Sequence, residues 1–392
     1  MIQLVTPSHR QQPMRRNLNI CWIVASFALL IASFPVQGFA GEPIELERGV
    51  APHNPQQPQV AVGVQGTIHV VYGMGGLVRY RRSDDGGKSY SNAVDLPSAQ
   101  EMSLGMRRGP RIAVSEKSIC VTVIGGKQGK GRDGDLLAMR STDNGKTWTA
   151  PVPVNDTADS AREGLHAMCA GPNGELCCIW LDLRNRKTEV MASVSKDGGG
   201  SWSKNVLVYR SPTGSVCECC HPSVAMDSLG RIHAQWRNSL RGNRDIYVAS
   251  STDGGSTFGE ATKIGFGTWP LNACPMDGGA IAVGGNNTLA SAWRRDKMVF
   301  LTIEGENEER NLGVGEQPWI AATEAGPVVV WLKRRGDIAY LLMPESTSPI
   351  ELVKHGFDPV IAAAPKGRGP VVAAWETRDG QNYSVHCQVV AN

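Results

Sequence analysis

Residues 214–227, with the sequence GSVCECCHPSVAMD, bring several potential metal ligands and nucleophiles together. Cys217, Cys219 and Cys220 surround one glutamate, and His221 follows them directly. Thiolate and imidazole groups favour Cu(I) or Zn²⁺ over hard cations. The spacing differs from the CxxC…CxxC pattern of a zinc ribbon, so two alternatives stay open: disulfide bonds and free buried thiols.

Two further segments, GLHAMCAG at 164–171 and NACPMDGG at 272–279, carry ligands of the same soft kind. His166 and Cys274 are the candidates there, with Met168 and Met276 beside them. Cys217 and Cys274 occupy matching places in two repeat units, each five residues ahead of the first position of the unit. This set therefore predicts either a Cu or Zn site or a group of disulfides that hold neighbouring loops together.

The N-terminus predicts an export signal over residues 1–40, including a short extension at its start. Arg15 and Arg16 precede an apolar run at 20–34, and positions 38–40 offer small residues for cleavage. We expect a periplasmic or secreted protein with no membrane span after cleavage, exported by the Sec or the twin-arginine route. Ten cysteines less Cys21 in the leader leave nine, an odd number, so at least one thiol is free or ligated.

The composition predicts an all-β protein. The 392 residues include 45 Gly and 10 Trp, 41% are hydrophobic, and no long helical periodicity is present. The formal net charge of +3 gives no reason to expect nucleic acid as a partner. Residues 41–392 are predicted to form one domain, and we expect a monomer.

A motif of the form S-x-D-x-G-x-[ST]-aromatic recurs four times. Its central residues Asp85, Asp143, Asp197 and Asp253 are spaced 58, 54 and 56 residues apart. The motif resembles the Asp-box, or BNR repeat, of the sialidase superfamily. The resemblance implies a hairpin turn between the third and fourth strands of a propeller blade, on the face away from the ligand, where the aspartate stabilises the fold.

A second repeat, a Pro-x-[Ile/Val]-Ala strand followed by a turn and an apolar strand, marks the start of each blade. It occurs seven times, beginning at Pro58, Pro110, His166, Pro222, Gly279, Pro318 and Pro359. This predicts a seven-bladed β-propeller of four-stranded antiparallel blades; six blades, as in well-known sialidases, is the alternative. The last unit lacks an outer strand, and PIELERG at 43–49 echoes PIELVKHG at 349–356, so the N-terminal strand is predicted to close the ring.

In a propeller, the start of strand 1 and the end of strand 2 open on one face beside the axis. That face is predicted to carry the cysteines and many arginines, among them Arg107, Arg108, Arg111, Arg237, Arg294 and Arg334, with Asp182, Asp277, Trp319 and Glu376. Guanidinium groups around a concave mouth suit an anionic ligand. Packing on tryptophan or pairing with aspartate is the structural alternative for these arginines.

The resemblance to sialidases implies an exo-glycosidase acting on sialic-acid-like, anionic sugars. In it, an arginine triad grips the carboxylate, a Tyr–Glu pair supplies the nucleophile, and an Asp is the acid. Arg111, in GPRIAV, stands where the family's motif arginine would, although the flanking aromatic and proline are absent. By their place on the same face, Arg237 and Arg294 are the candidates for the rest of the triad and Asp182 for the acid. Tyr340 or Tyr383, paired with Glu376, is the candidate nucleophile. The alternatives are a non-catalytic propeller that binds metal or a protein partner, and a purely structural one with disulfides.

Overall fold

Seven antiparallel sheets make up the described part of the protein, six of four strands and one with a short fifth strand, which confirms the predicted seven-bladed propeller. The computed structural model describes residues 39–392; the predicted leader falls largely on residues 1–38, outside the described residues, and stays a prediction. In each blade the four main strands lie side by side in the order 1-2-3-4. No helix in the described part of the chain is long and apolar enough to cross a membrane.

The first three blades follow one another directly along the chain. Blade 1 contains β2 (Pro55–Val62), β3 (Ile68–Met74), β4 (Leu77–Ser83) and β5 (Val94–Asp95). Blade 2 contains β6 (Glu101–Met102), β7 (Arg111–Val114), β8 (Ile119–Gly126), β9 (Asp135–Ser141) and β10 (Val152–Pro153). Blade 3 contains β11 (His166–Ala170), β12 (Leu176–Asp182), β13 (Glu189–Ser195) and β14 (Val206–Tyr209). In blade 2 both β6 and β7 pair with β8, so the loop between them, 103–110, is held at the inner edge.

The remaining four blades complete the ring. Blade 4 contains β15 (Ser223–Met226), β16 (Ile232–Arg237), β17 (Ile246–Ser251) and β18 (Thr262–Lys263). Blade 5 contains β19 (Gly279–Val283), β20 (Leu289–Arg295), β21 (Met298–Ile303) and β22 (Arg310–Val314). Blade 6 contains β23 (Glu316–Thr323), β24 (Gly326–Leu332), β25 (Ala339–Leu342) and β26 (Ile350–Val353). Blade 7 contains β27 (Gly356–Ala363), β28 (Val371–Asp379), β29 (Asn382–Ala391) and β1 (Ile44–Val50), with a 3-10 turn at Pro365–Gly367.

The ring is closed by the N-terminal strand, as predicted. Strand β1 pairs antiparallel with β29 from Ile44 opposite Cys387 to Val50 opposite Asn382. Leu46 points into the core between blades 7 and 1 and is 4% exposed. Residues from opposite ends of the chain therefore share one sheet, and β29 has no exposed edge.

The four Asp-box turns are held by the hydrogen bonds of their own side chains. In the first, the Gly87 amide donates to the Ser83 hydroxyl at 2.9 Å, and the Ser89 amide donates to Asp85 at 2.9 Å. The Ser89 hydroxyl and amide lower the pKa of Asp85. Gly87 has φ +83°, and a Cβ there would lie 2.6 Å from Val389 in blade 7. These aspartates therefore hold the turns and the contacts between blades.

The hydrophobic core lies between neighbouring blades. The fully buried tryptophans Trp180, Trp236, Trp331 and Trp375 stand at equivalent positions of the second strands of their blades. The first strands contact one another in turn around the axis, from β2 through β7, β11, β15, β19 and β23 to β27. The residues just before each first strand are thus brought together on one face.

Candidate functional site

Two guanidinium groups and one imidazole pack around Trp319, which lies in the first half of β23, near the axis. The guanidinium carbons of Arg107 and Arg111 lie 5.2 and 5.8 Å from the centre of its ring. The imidazole of His221 stacks on it at 5.6 Å with an interplanar angle of 21°. Arg107, Arg111 and His221 are all buried. Cation–π contact contributes to holding the two guanidinium groups there.

Arg107 lies in the loop between β6 and β7, and its guanidinium group binds backbone carbonyls. It donates to the carbonyl of Pro359 at 3.0 Å and to that of Gln317 at 2.6 Å. The carboxylate of Asp358 lies 3.9 Å from Arg107 Nε. It forms closer contacts with Arg335, whose Nη1 and Nη2 lie 3.0 and 2.7 Å from its two oxygens. Burial lowers the pKa of Arg107, and Asp358 opposes that shift.

Arg111 is a buried cation without an ion-pair partner among residues 39–392. Its guanidinium donates to the carbonyls of Pro110, at 3.0 Å, and of Arg107. Burial, together with the charge of Arg107, lowers its pKa to about 9. A buried charge is costly unless it is compensated, so an anion at this position would be stabilised.

Glu376, on β28, shares a hydrogen-bond network with blade 1. The Gln57 amide donates to Glu376 at 2.6 Å, and the Gln57 side chain donates to Asp358 at 2.8 Å. Burial raises the pKa of Glu376 to about 8, and the charge of Asp358 adds to the rise. Glu376 therefore holds its proton to a higher pH than an exposed glutamate does, while the carboxylate of Asp358 accepts two hydrogen bonds from Arg335.

We expect Glu376→Gln to flatten the dependence of stability on pH. Between the ordinary pKa of 4.5 and about 8, the folded state holds a proton on Glu376 that the unfolded chain releases. The free energy of unfolding therefore falls as the pH rises through this window, by up to about 1.4 kcal/mol per pH unit from this group. Urea unfolding at pH 5, 6.5 and 8 measures it. If the free energy of unfolding depended on pH in the same way in wild type and variant, the raised pKa of Glu376 would be contradicted.

Two of the predicted triad arginines meet at Trp269 instead of Trp319. The guanidinium groups of Arg237 and Arg294 lie 5.2 and 5.5 Å from the Trp269 ring. Arg237 donates to the carbonyls of Asp277 and Arg294, at 2.7 and 2.8 Å. Arg294 forms an ion pair with Glu316 at 3.2 Å. Their donors are thus largely used within the protein.

Asp182 and Tyr340, the predicted acid and nucleophile, take part in local structure. Asp182 is fully buried and accepts hydrogen bonds from Ser160 at 2.8 Å, Trp180 at 2.8 Å and Arg184 at 2.9 and 3.0 Å. Tyr340 packs on Trp331 within blade 6, with ring centres 5.8 Å apart. Within residues 39–392 no hydrogen bond joins Tyr340 to Glu376. Their catalytic roles stay predictions.

Several buried polar atoms on this face have no hydrogen-bond partner among residues 39–392. They are Arg107 Nε, Arg111 Nε, His166 Nδ1, His221 Nε2, Asp277 Oδ1 and Gln317 Oε1. Buried polar groups are normally paired with protein or water. Around Trp319 the unmatched atoms are mostly donors, which suits water or an acceptor group of a ligand.

The cysteines of the first sequence segment converge at the start of blade 4. Cys217 Sγ lies 3.0 Å from Cys220 Sγ and 3.7 Å from Cys219 Sγ, and Cys219 Sγ lies 3.9 Å from Cys220 Sγ. Cys219 is joined by a disulfide to Cys274, from the loop before blade 5, and Cys274 Sγ lies 3.4 Å from Met276 Sδ. We call these four cysteines the cysteine cluster. The structure thus groups four of the six predicted metal ligands.

The two predicted histidine ligands lie outside the cysteine cluster. His221 turns toward Trp319, and its Nδ1 accepts a hydrogen bond from the Gly278 amide at 3.3 Å. His166 lies in blade 3, with Nε2 3.0 Å from the Thr122 hydroxyl. Burial lowers the pKa of both imidazoles well below the ordinary value. Both are neutral side chains of the axial region.

The two thiols at the centre of the cluster differ in acidity. The hydrogen bond from Cys220 lowers the pKa of Cys217 to about 7, and the charges of Arg237 and Arg244 add to this effect. Burial raises the pKa of Cys220 well above its usual value. The pair therefore gives up its first proton near neutral pH, as a ligand or nucleophile requires.

Three polar residues of the axial network were missed from the sequence: Gln57, Gln317 and Asp358. Each directly precedes the proline that begins its Pro-x-[Ile/Val]-Ala repeat, the place His221 holds in blade 4, and each has positive φ, between 45° and 56°. A polar residue directly before the proline of the repeat is therefore the sequence feature that could have identified them. Arg335 was also missed, next to the predicted Arg334.

The comparisons with known proteins agree with this architecture. A family model described as a BNR repeat-like domain matches residues 116–286. A search of curated proteins found no match to the sequence. An α-L-arabinanase from Penicillium chrysogenum, solved with arabinobiose, is 13% identical with a TM-score of 0.55, over 89% of this chain and 98% of that one.

Two further solved structures share the fold. An α-L-arabinofuranosidase from Fusarium graminearum is 12% identical with a TM-score of 0.52, over 90% of this chain and 98% of that one. A Hadza microbial sialidase is 14% identical with a TM-score of 0.52, over 85% of this chain and 65% of that one. At these identities the likeness concerns the fold. The chain is thus a β-propeller whose residues 116–286 match a BNR repeat-like family model.

Proposed function

We propose that this protein is an exported propeller that binds a soft metal ion, Cu(I) or Zn²⁺, through the cysteine cluster. The convergence of three sulfur atoms within 3.9 Å of one another carries the proposal. A metal about 2.3 Å from each sulfur holds the sulfurs about 3.8 Å apart. Two of the three distances, 3.7 and 3.9 Å, have this value. Only the sulfur atoms of Cys217 and Cys220, which lie 3.0 Å apart, need to separate to admit the metal, by less than 1 Å.

The surroundings of the cluster favour a soft cation. Cys217 and Cys220 are each 1% exposed, so a bound ion would be shielded from water. Arg237 and Arg244 stabilise thiolate charge, and Met276 offers a thioether beside Cys274. Thiolates and thioethers select Cu(I) and Zn²⁺. Cys219 and Cys274 are joined in the structure, so the metal-binding form is the one in which this disulfide is reduced.

Metal titration of the reduced protein tests the proposal. Protein reduced and desalted without oxygen is titrated with Cu(I) against a chromogenic Cu(I) chelator, and with Zn²⁺ against a zinc dye. We expect about one equivalent of at least one metal to bind to the reduced protein. Protein with the disulfide intact retains at most two cluster thiols and should bind at least about 10-fold more weakly. No competition with either indicator would reject the proposal.

A second candidate function is that of a glycosidase-like enzyme acting on an anionic sugar. The buried, unpaired charge of Arg111 beside Trp319 favours it, because a carboxylate would compensate that charge. Glu376, whose pKa is raised by burial, is the side chain best suited to act as an acid. The solved structures of similar fold include an arabinanase and a sialidase.

Hydrolysis assays with fluorogenic sialosides and arabinosides test this second function. If it holds, Arg111→Ala lowers kcat/KM by about 100-fold or more, because a charge-assisted bidentate contact is lost. Arg108→Ala is the matched control: Arg108 lies three residues before Arg111, in the loop that leads into β7, but donates to the Glu163 carbonyl at 2.8 Å. Wild-type protein that releases no product from either substrate class would exclude this function for those sugars.

A further inference from the structure

The disulfide of the cysteine cluster lies at the surface, directly above two free thiols. Cys274 is exposed and Cys219 half-buried, whereas Cys217 and Cys220 are buried beneath them. The two loops that the disulfide joins belong to blades 4 and 5. A cross-link that only holds loops together requires no further thiols in contact with it.

The geometry of the free thiols suits attack on that disulfide. Both lie in contact with Cys219 Sγ, Cys217 at 3.7 Å and Cys220 at 3.9 Å. They are also 3.0 Å from each other, and the turn in which the Cys220 amide donates to the Cys217 carbonyl keeps them on one side of the chain. Cys217 and Cys220 have the C-x-x-C spacing in which dithiols readily form a disulfide.

We propose that the cysteine cluster is a thiol–disulfide exchange site, in which the disulfide moves between Cys219–Cys274 and Cys217–Cys220. The Cys217 thiolate attacks Cys219 Sγ; the Cys217–Cys219 bond forms, the Cys219–Cys274 bond breaks, and Cys274 leaves as a thiolate that takes up the proton lost by Cys217. The Cys220 thiolate then attacks Cys217 Sγ and displaces Cys219, which takes up the proton lost by Cys220. One disulfide and two thiols are present before and after.

The exposed sulfur of Cys274 opens this exchange to an external dithiol. A dithiol that attacks the Cys219–Cys274 bond becomes a disulfide itself and leaves all four cysteines reduced, with the two electrons transferred to the cluster. This step rests on the proposed function in one respect: it produces the metal-binding form of the same sulfurs. The internal exchange does not depend on a metal.

Mapping of the disulfides in wild-type protein tests the exchange. Protein is incubated with a trace of dithiothreitol, quenched in acid with N-ethylmaleimide, digested and examined by mass spectrometry. We expect both pairings, Cys219–Cys274 and Cys217–Cys220, in the same sample. Cys274→Ser should leave only the second pairing and Cys217→Ser only the first, while Cys169→Ser, outside the cluster, keeps both. A single pairing of Cys219 with Cys274, with Cys217 and Cys220 fully alkylated throughout, would overturn the inference.

Metal titration of the fully reduced protein separates this inference from the proposed function. One equivalent of bound Cu(I) together with a single fixed pairing would reject the exchange and keep the metal site. Two disulfide pairings without metal binding would keep the exchange and reject the metal site.

Discussion

The double variant Cys217→Ser/Cys220→Ser is expected to lose the metal, with stoichiometry falling from about one equivalent to near zero and affinity by about 100-fold or more. Serine keeps the size of the side chain, but its hydroxyl is not ionised at neutral pH and is a hard ligand. Both side chains are buried in the cluster, so no water-exposed group replaces them. Competition with the Cu(I) chelator and elemental analysis measure the loss.

A matched thiol outside the cluster controls for general effects. Cys169, on β11, is a free, half-buried cysteine that packs against the core between blades 3 and 4. Cys169→Ser should bind metal as wild type does. If the double variant kept a full equivalent of metal while melting like wild type, the ligands would lie elsewhere in the chain.

Removal of the N-terminal strand is expected to have the largest effect on stability. A chain that begins at residue 51 lacks β1, so the core contact of Leu46 is lost and the edge of β29 is exposed. Loss of a buried leucine alone costs about 2–5 kcal/mol. With the lost strand pairing, we expect the melting temperature to fall by about 10 °C or more and aggregation to increase.

A chain that begins at residue 43 keeps β1 and is the matched control, expected to melt like longer forms. Addition of a synthetic peptide spanning residues 42–51 to the shortened protein should restore part of the lost stability. An unchanged melting temperature after removal of β1 would mean that the ring does not depend on this strand. Differential scanning calorimetry measures both proteins.

The fold could be predicted because its determinants are local and repeated. Each Asp-box turn forms hydrogen bonds within a few residues, and each Pro-x-[Ile/Val]-Ala segment marks one inner strand, so counting them gave the number of blades. The short strand β6 was not predicted. It depends on pairing of Glu101 and Met102 with the end of β8, which no local pattern indicates.

The site could be predicted only in part. Cys217 and Cys274 were expected to be neighbours, because they precede matching strands of adjacent blades, but the partner of Cys274 is Cys219. His221 directly follows the cysteines in sequence, yet its ring turns toward Trp319. Spacing places a residue on a face, whereas the direction of its side chain depends on packing with other blades.

The charged network at the axis shows the same limit. Glu376 was expected on this face, but its raised pKa depends on burial beside Asp358 and on Gln57, which lies 319 residues away. Asp182 ends the second strand of blade 3, and one of its partners, Ser160, comes from the loop that joins blades 2 and 3. Such partners cannot be identified from one segment of sequence.

X-ray absorption at the metal edge of the Cu(I)- or Zn-loaded, reduced protein identifies the atoms that bind the metal. We expect a first shell of three or four sulfur atoms at about 2.2–2.3 Å, because the cysteine cluster supplies thiolates and the imidazoles of His166 and His221 lie elsewhere. A first shell made mainly of nitrogen or oxygen would contradict it and place the metal outside the cluster.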